Sequence, residues 1–279
     1  MKKRILGLAA TAALAMMAAA PASAHRQWML PSSTVLSGDD VWVTVDAAVS
    51  NDLFYFEHQP LRLDAVKAWA PDGSEATLEN KATGRYRSTF DVHLTKKGTW
   101  KIASAVDAVM GSYDLDGKTE RLPRGTTTAN LAERIPAGAT NVRTAEVNNR
   151  NEIFVTLGEP TDTVFAPTGK GIELVPVTHP NDLFAGEEAT FQFLLDGKPA
   201  AGLSVTVIPG GIRYRDALGQ IDATTDAEGK VAVTWPEPGL YWINVTTPRA
   251  EGEGEGPPAP NAAPQRRASY VTTLEVMAP

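Results

Sequence analysis

The chain has 279 residues, with 26 Lys and Arg against 33 Asp and Glu, a net charge of −7, four His and no Cys. An acidic chain without a basic cluster disfavours nucleic acid and anionic lipid as partners. Without cysteine there are neither disulfides nor thiolate ligands, so the core alone must stabilise the fold.

The chain opens with Lys2, Lys3 and Arg4, continues through an uncharged Ala/Leu/Met run at 5–20, and reaches Pro21-Ala22-Ser23-Ala24. This is the pattern of a secretory signal peptide over 1–24; a membrane anchor needs about 20 apolar residues, and this run is shorter. Its removal leaves 23 basic against 33 acidic residues, a charge of −10, and 255 residues, enough for one large or two ordinary domains. No later run is long and apolar, so the mature protein is expected to be soluble in the periplasm and not membrane-embedded.

Downstream of His25 the hydrophobic period is two, not 3.6. Val41, Val43 and Val45 alternate with Trp42, Thr44 and Asp46, which places the valines on one face of a strand. Phe90, Val92 and Leu94 alternate with Asp91 and His93, and beyond the Lys97-Gly98 turn the residues at 99–102 read as the partner strand. Over 108–149 the alternation is lost, which predicts a long loop with a short helix near 130–134. A strand at 151–157 closes an N-terminal β-sandwich domain over 25–160.

The second half repeats the theme over 168–279. Ala189/Phe191/Phe193/Leu195, Leu203/Val205/Val207, Val231/Val233/Trp235, Tyr241/Ile243/Val245 and 270–276 are strands separated by Gly- and Pro-containing turns. Strands at such intervals predict an immunoglobulin-like sandwich. The Glu/Gly and Pro/Ala composition of 248–268 predicts a disordered hairpin loop. The expected fold is therefore all-β, two immunoglobulin-like antiparallel β-sandwich domains behind a cleaved signal peptide.

Residues 25–31 (His-Arg-Gln-Trp-Met-Leu-Pro), 171–176 (Gly-Ile-Glu-Leu-Val-Pro), 196–202 (Asp-Gly-Lys-Pro-Ala-Ala-Gly), 225–229 (Thr-Asp-Ala-Glu-Gly) and the ending at 270–274 together resemble the DUF4198 family of exported bacterial proteins. The resemblance covers nearly the whole mature chain. It implies a two-domain β-sandwich periplasmic protein tied to nickel or cobalt uptake and to outer-membrane receptors. The chain departs from the family pattern at His179, where a small polar residue is the usual one.

The four histidines are the candidate ligands. Cleavage after Ala24 gives His25 a free α-amine, so amine and Nδ1 can close a six-membered chelate that no internal histidine can form. Imidazole and amine nitrogens suit nickel, cobalt, copper and zinc, and a nitrogen-rich, sulfur-poor set favours Cu(II) or Ni(II). His93 shares a strand face with Asp91, which would ligate or orient it. His58 follows a strand, Phe54-Tyr55-Phe56-Glu57, that ends in a turn at Gln59-Pro60. His179, beside Pro180, is the weakest candidate.

These residues point to a non-enzymatic periplasmic metal-binding protein accessory to metal uptake, with the metal, an outer-membrane receptor or an inner-membrane transporter as partners. Two alternatives stand beside it. One is a copper oxidase resembling lytic polysaccharide monooxygenases, with Trp28, Trp42 and Trp69 as a sugar-stacking face; the other is a structural or receptor-docking module in which the histidines are incidental.

Overall fold

The computed structural model describes residues 25–248 and 258–279, so the expected signal peptide lies outside the described residues. The principal strands are β1 (Arg26–Pro31), β2 (Val41–Ser50), β3 (Val66–Trp69), β4 (Ser88–Leu94), β5 (Gly98–Leu115), β6 (Thr140–Leu157), β7 (Ile172–Pro176), β8 (Glu188–Leu195), β9 (Ser204–Pro209), β10 (Lys230–Thr234), β11 (Gly239–Thr246) and β12 (Gln265–Val276). A single turn of helix, α1 (Leu131–Arg134), lies where the sequence predicts it. The all-β sandwich architecture is the expected one.

Three sheets are formed among the described residues. A small sheet runs β1-β2-β4 and continues to a strand at Glu79–Thr83. A large sheet of ten strands has the central order β9-β11-β12-β6-β5-β3. A third sheet contains β7, β8 and β10. The valines of β2 and the apolar residues of β4 face Trp100, Ile102, Ile153 and Val155 of the large sheet, forming one core. Phe191, Phe193 and Trp235 meet Val205, Val207, Tyr241, Ile243 and Tyr270 in a second core.

The two sandwiches share the large sheet. Residues 145–152 of β6 pair in parallel with 265–272 of β12, which joins the halves by a backbone ladder. The small sheet and the third sheet cover opposite faces. Phe154 of β6 enters the second core while Ile153 and Val155 enter the first, as a strand buried on both sides requires.

Several sequence expectations are corrected. The region 108–149 is not a long loop: β5 continues to Leu115, β6 starts at Thr140, and the two pair from Gly98↔Leu157 to Ser112↔Arg143. Buried positions in this ribbon are few and irregularly spaced, Val109 and Tyr113 on β5 and Thr144 and Ala145 on β6, so no period of two is displayed. Residues 99–102 do not pair with 90–94. β4 pairs with β2, and the chain crosses at Gly98 (φ +122°) to the facing sheet. Period two specifies the buried face of each strand but not its partner. Residues 54–57 are not a strand but part of a loop, with Phe54 at φ +62°. Of the expected 248–268 loop, 249–257 lie outside the described residues, Asn261 donates from its N–H to the Val142 carbonyl (2.6 Å), and 265–268 already belong to β12.

Candidate functional site

His25 stands at the head of β1, where Arg26 pairs with Ser50 at the end of β2. The chain leaves β2 at that point, loops out over 51–58, and returns when Gln59 pairs with Val49. This loop is folded down onto Trp28. The Trp28 indole N–H donates to Ser50 Oγ (2.8 Å), whose hydroxyl donates to the Asp52 carbonyl (2.6 Å). Phe54 and Phe56 lie against the same indole, each with a ring centroid 5.6 Å away. The Glu57 carboxylate accepts from the backbone N–H groups of Asn51 (2.8 Å) and Asp52 (2.9 Å), closing the loop.

The consequence is a histidine pair: the His25 and His58 rings stack at 3.7 Å between centroids, 8° from parallel. Both residues are exposed. A ring nitrogen binds a metal along its lone pair, in the ring plane, at about 2.0–2.1 Å. An ion equidistant from two parallel planes 3.7 Å apart lies in neither. The stacked rings therefore do not ligate one ion together in this arrangement; joint ligation requires one ring to turn about its Cβ–Cγ bond.

His93 and Asp91 are not part of this pair. His93 lies opposite Trp42 on β2 while Arg26 lies opposite Ser50. Those positions are separated by roughly 26 Å at ~3.3 Å per residue. His93 Nε2 is 2.8 Å from Asp40 Oδ1, and its ring stacks on Trp42 at 4.2 Å. Asp91 shares its outward face, as expected, but accepts from the Thr44 hydroxyl and the Asn80 amide (2.7 Å each), and these bonds hold its carboxyl below the usual carboxylate range. The sequence places both on the correct face; distance along the strand separates them from His25.

His179 sits between the sandwiches. Its Nδ1 accepts from the Asn181 N–H (3.1 Å), which leaves the proton on Nε2 to donate to Thr99 Oγ1 (3.0 Å). With both nitrogens bonded within the fold, it joins β5 to the connection after β7. Among the described residues no group of three or more His, Asp or Glu side chains is arranged to hold a metal. The three tryptophans share no face: Trp28 is wholly buried, Trp42 is stacked on His93, and Trp69 lies beneath the Lys101 ammonium, 5.4 Å from its ring centroid.

His25 also stands at the mouth of a cleft of about 1010 Å³ between the two sandwiches. Its floor is the back of the large sheet. Val207, Tyr241, Ile243 and Tyr270 enter the second core, so Ile208, Trp242 and Val271 turn to the other face and meet Trp28. Further out, where the small sheet ends, that face is open and carries Asn244 and Asn149. Sequence reasoning missed this site because its residues come from both halves of the chain, and the polar members of each strand pattern read only as solvent-facing.

The profile of DUF4198, a domain of unknown function, matches residues 22–249. The chain belongs to the DUF4198 family. No curated protein matches it. Among solved structures, this DUF4198 chain is similar to the D0-D1 domain of intimin, at 12% identity over 89% of this chain and 97% of that one, with a TM-score of 0.21. The human OSCAR ligand-binding domain matches at 11% identity over 91% and 100%, with a TM-score of 0.22. A DUF4785 family protein from Legionella pneumophila matches at 9% identity over 78% and 50%, with a TM-score of 0.23. At such TM-scores nothing about a site or an activity transfers. Among the described residues of the DUF4198 chain, no helix is long and apolar enough to cross a membrane.

Proposed function

We propose that this DUF4198 protein is a periplasmic, non-enzymatic binder of a divalent transition metal, nickel, cobalt or copper, accessory to metal uptake. Cleavage after Ala24 frees the α-amine of His25, and the ligands are that amine, the His25 imidazole and the His58 imidazole. The observation carrying this reading is the stacked His25–His58 pair, which gathers two of the chain's four histidines beside the expected mature terminus. Three nitrogens without sulfur suit Cu(II) or Ni(II). His93, Asp91 and His179 are not in the ligand set.

Native mass spectrometry of the protein purified from periplasm tests this directly, because it reports the terminal residue and the bound metal together. A chain starting at His25 with one metal is expected. His58→Ala, and a variant with one Ala inserted before His25, should each weaken binding by more than the roughly 10–100-fold that follows loss of a hydrogen-bond partner behind a ligand. Equal metal affinity in all three proteins would exclude the site.

A further inference from the structure

The cleft beside His25 has a lining that points to a ligand of its own. Side-chain amides dominate its polar groups, and among the described residues those of Gln27, Asn51, Gln59 and Asn244 have no hydrogen-bond partner within the chain. They come from β1, the loop after β2, the returning segment at Gln59 that pairs with β2, and β11, so they line the cleft from both sandwiches. Each presents an N–H donor and a carbonyl acceptor at one end. A hydroxyl group, itself donor and acceptor, is the partner that satisfies both.

Away from His25, fixed charge in the lining is confined to one opposed pair. Arg26 donates to the Asn51 carbonyl (2.6 Å) and lies 6.0 Å from the Trp242 ring centroid, and Asp52 stands near it with opposite charge. A charged ligand entering the cleft would lose water without gaining a matched counter-charge, which is unfavourable. Between the amides the lining is apolar: Ile208, Trp242 and Val271 are largely covered by Trp28, and the accessible apolar surface is that of Leu218 and Met110 at the rim. Alternation of uncommitted amides with apolar surface matches a molecule whose hydroxyls and C–H faces alternate.

We infer that the cleft between the two sandwiches binds a neutral, polyhydroxylated ligand, a short saccharide, by hydrogen bonds to Gln27, Asn51, Gln59 and Asn244 beside the apolar rim of Leu218 and Met110. The volume of about 1010 Å³ is at the upper end of small-molecule sites, typically ~300–1,000 Å³. An extended peptide, which recognition by strand addition would favour, finds little backbone to join. The floor strands β9, β11 and β12 are paired on both sides. On β1 the Gln27 carbonyl already accepts from the Trp242 indole (2.9 Å). The saccharide site does not depend on metal at His25.

The test is a titration of the full mature chain with maltotriose, cellotriose and triacetylchitotriose in turn, following the Trp242 indole and the Asn and Gln amide resonances by NMR. Trialanine amide serves as the peptide control. One neutral trisaccharide should saturate these resonances, and Asn244→Ala and the exposed Asn51→Ala should each weaken it about 3- to 10-fold, the worth of one hydrogen bond. Asn51→Ala alters only the side chain of a surface loop position, so it reads the site even if Asn244→Ala fails to fold. Unchanged affinity in the presence of a chelator separates this ligand from any metal at His25. Silence toward all three saccharides, saturation by trialanine amide instead, loss of binding with chelator, or indifference to both substitutions would overturn the inference.

Discussion

His179 and Glu173 are the titrating residues whose environments bear most directly on stability. Burial pushes the His179 pKa below its ordinary value of 6.5, outweighing the upward pull of Asp162 and Asp182. The unfolded chain therefore takes up this proton at a higher pH than the folded one. The stabilisation is complete above about pH 6.5 and is lost as pH falls through the folded value. Melting temperatures measured between pH 7.5 and 5 should fall in the native protein and fall less in His179→Asn; parallel curves would show that this histidine does not set the slope. Burial raises the Glu173 carboxyl, but the Thr168 hydroxyl and N–H, the Gly169 N–H and Arg150 together outweigh it and hold it below 4.5. That contribution is present above pH ~4.5 and lost in stronger acid. Glu173 and Glu152 flank Arg150 at 3.4 and 3.0 Å in a cluster whose side chains are 5 to 13% exposed. Glu173→Ala leaves Arg150 with one of two counter-charges and is expected to cost about 3–5 kcal/mol, read from urea midpoints at neutral pH. A loss below 1 kcal/mol would mean that Glu152 alone suffices.

Among the elements, the β5–β6 ribbon and the 51–58 loop decide what surrounds the site. Gly111 of β5 lies so close to β6 that a Cβ there would stand 2.0 Å from the Arg143 carbonyl oxygen, a backbone atom that cannot turn aside. Gly111→Ala should pry the outer ribbon apart, so amide exchange accelerates around 108–114 and 140–147 while Ile102 and Ile153 in the core keep their protection. Uniform protection would show that the strands had re-registered. The loop depends on one side chain, Trp28, which fills the space between the sandwiches and bonds Ser50. Trp28→Ala is expected to cost about 3–5 kcal/mol. It should also abolish the NOE contacts between the His25 and His58 rings; retention of those contacts would show that the loop is held without the indole. The valine alternation of β2 made the strand and its buried face legible in advance. The location of His58 did not follow from it, because loop position is set by the indole it packs on, 30 residues earlier in the chain.

At the scale of the whole molecule, the shared sheet couples the two sandwiches. β6 supplies Ile153, Val155 and Leu157 to one core and Phe154 to the other, and its ladder to β12 crosses the junction. Neither core can lose β6 and stay closed, so calorimetry should record one transition with matching calorimetric and van't Hoff enthalpies. Two resolved transitions would mean that the halves fold as separate domains. From sequence alone, period two and the spacing of turns determined that the chain is all-β and which side chains of most strands are buried, because alternation is a local consequence of covering one face. Family membership was legible for the same reason, in short motifs read along the chain. Only the tertiary structure decided which strands pair, that one sheet serves both sandwiches, that His25 meets His58 and not His93, and that unpartnered amides from both halves line one cleft. Each of these depends on contacts between residues far apart in sequence, and a hydrophobic pattern contains no information about which distant strand lies next to it.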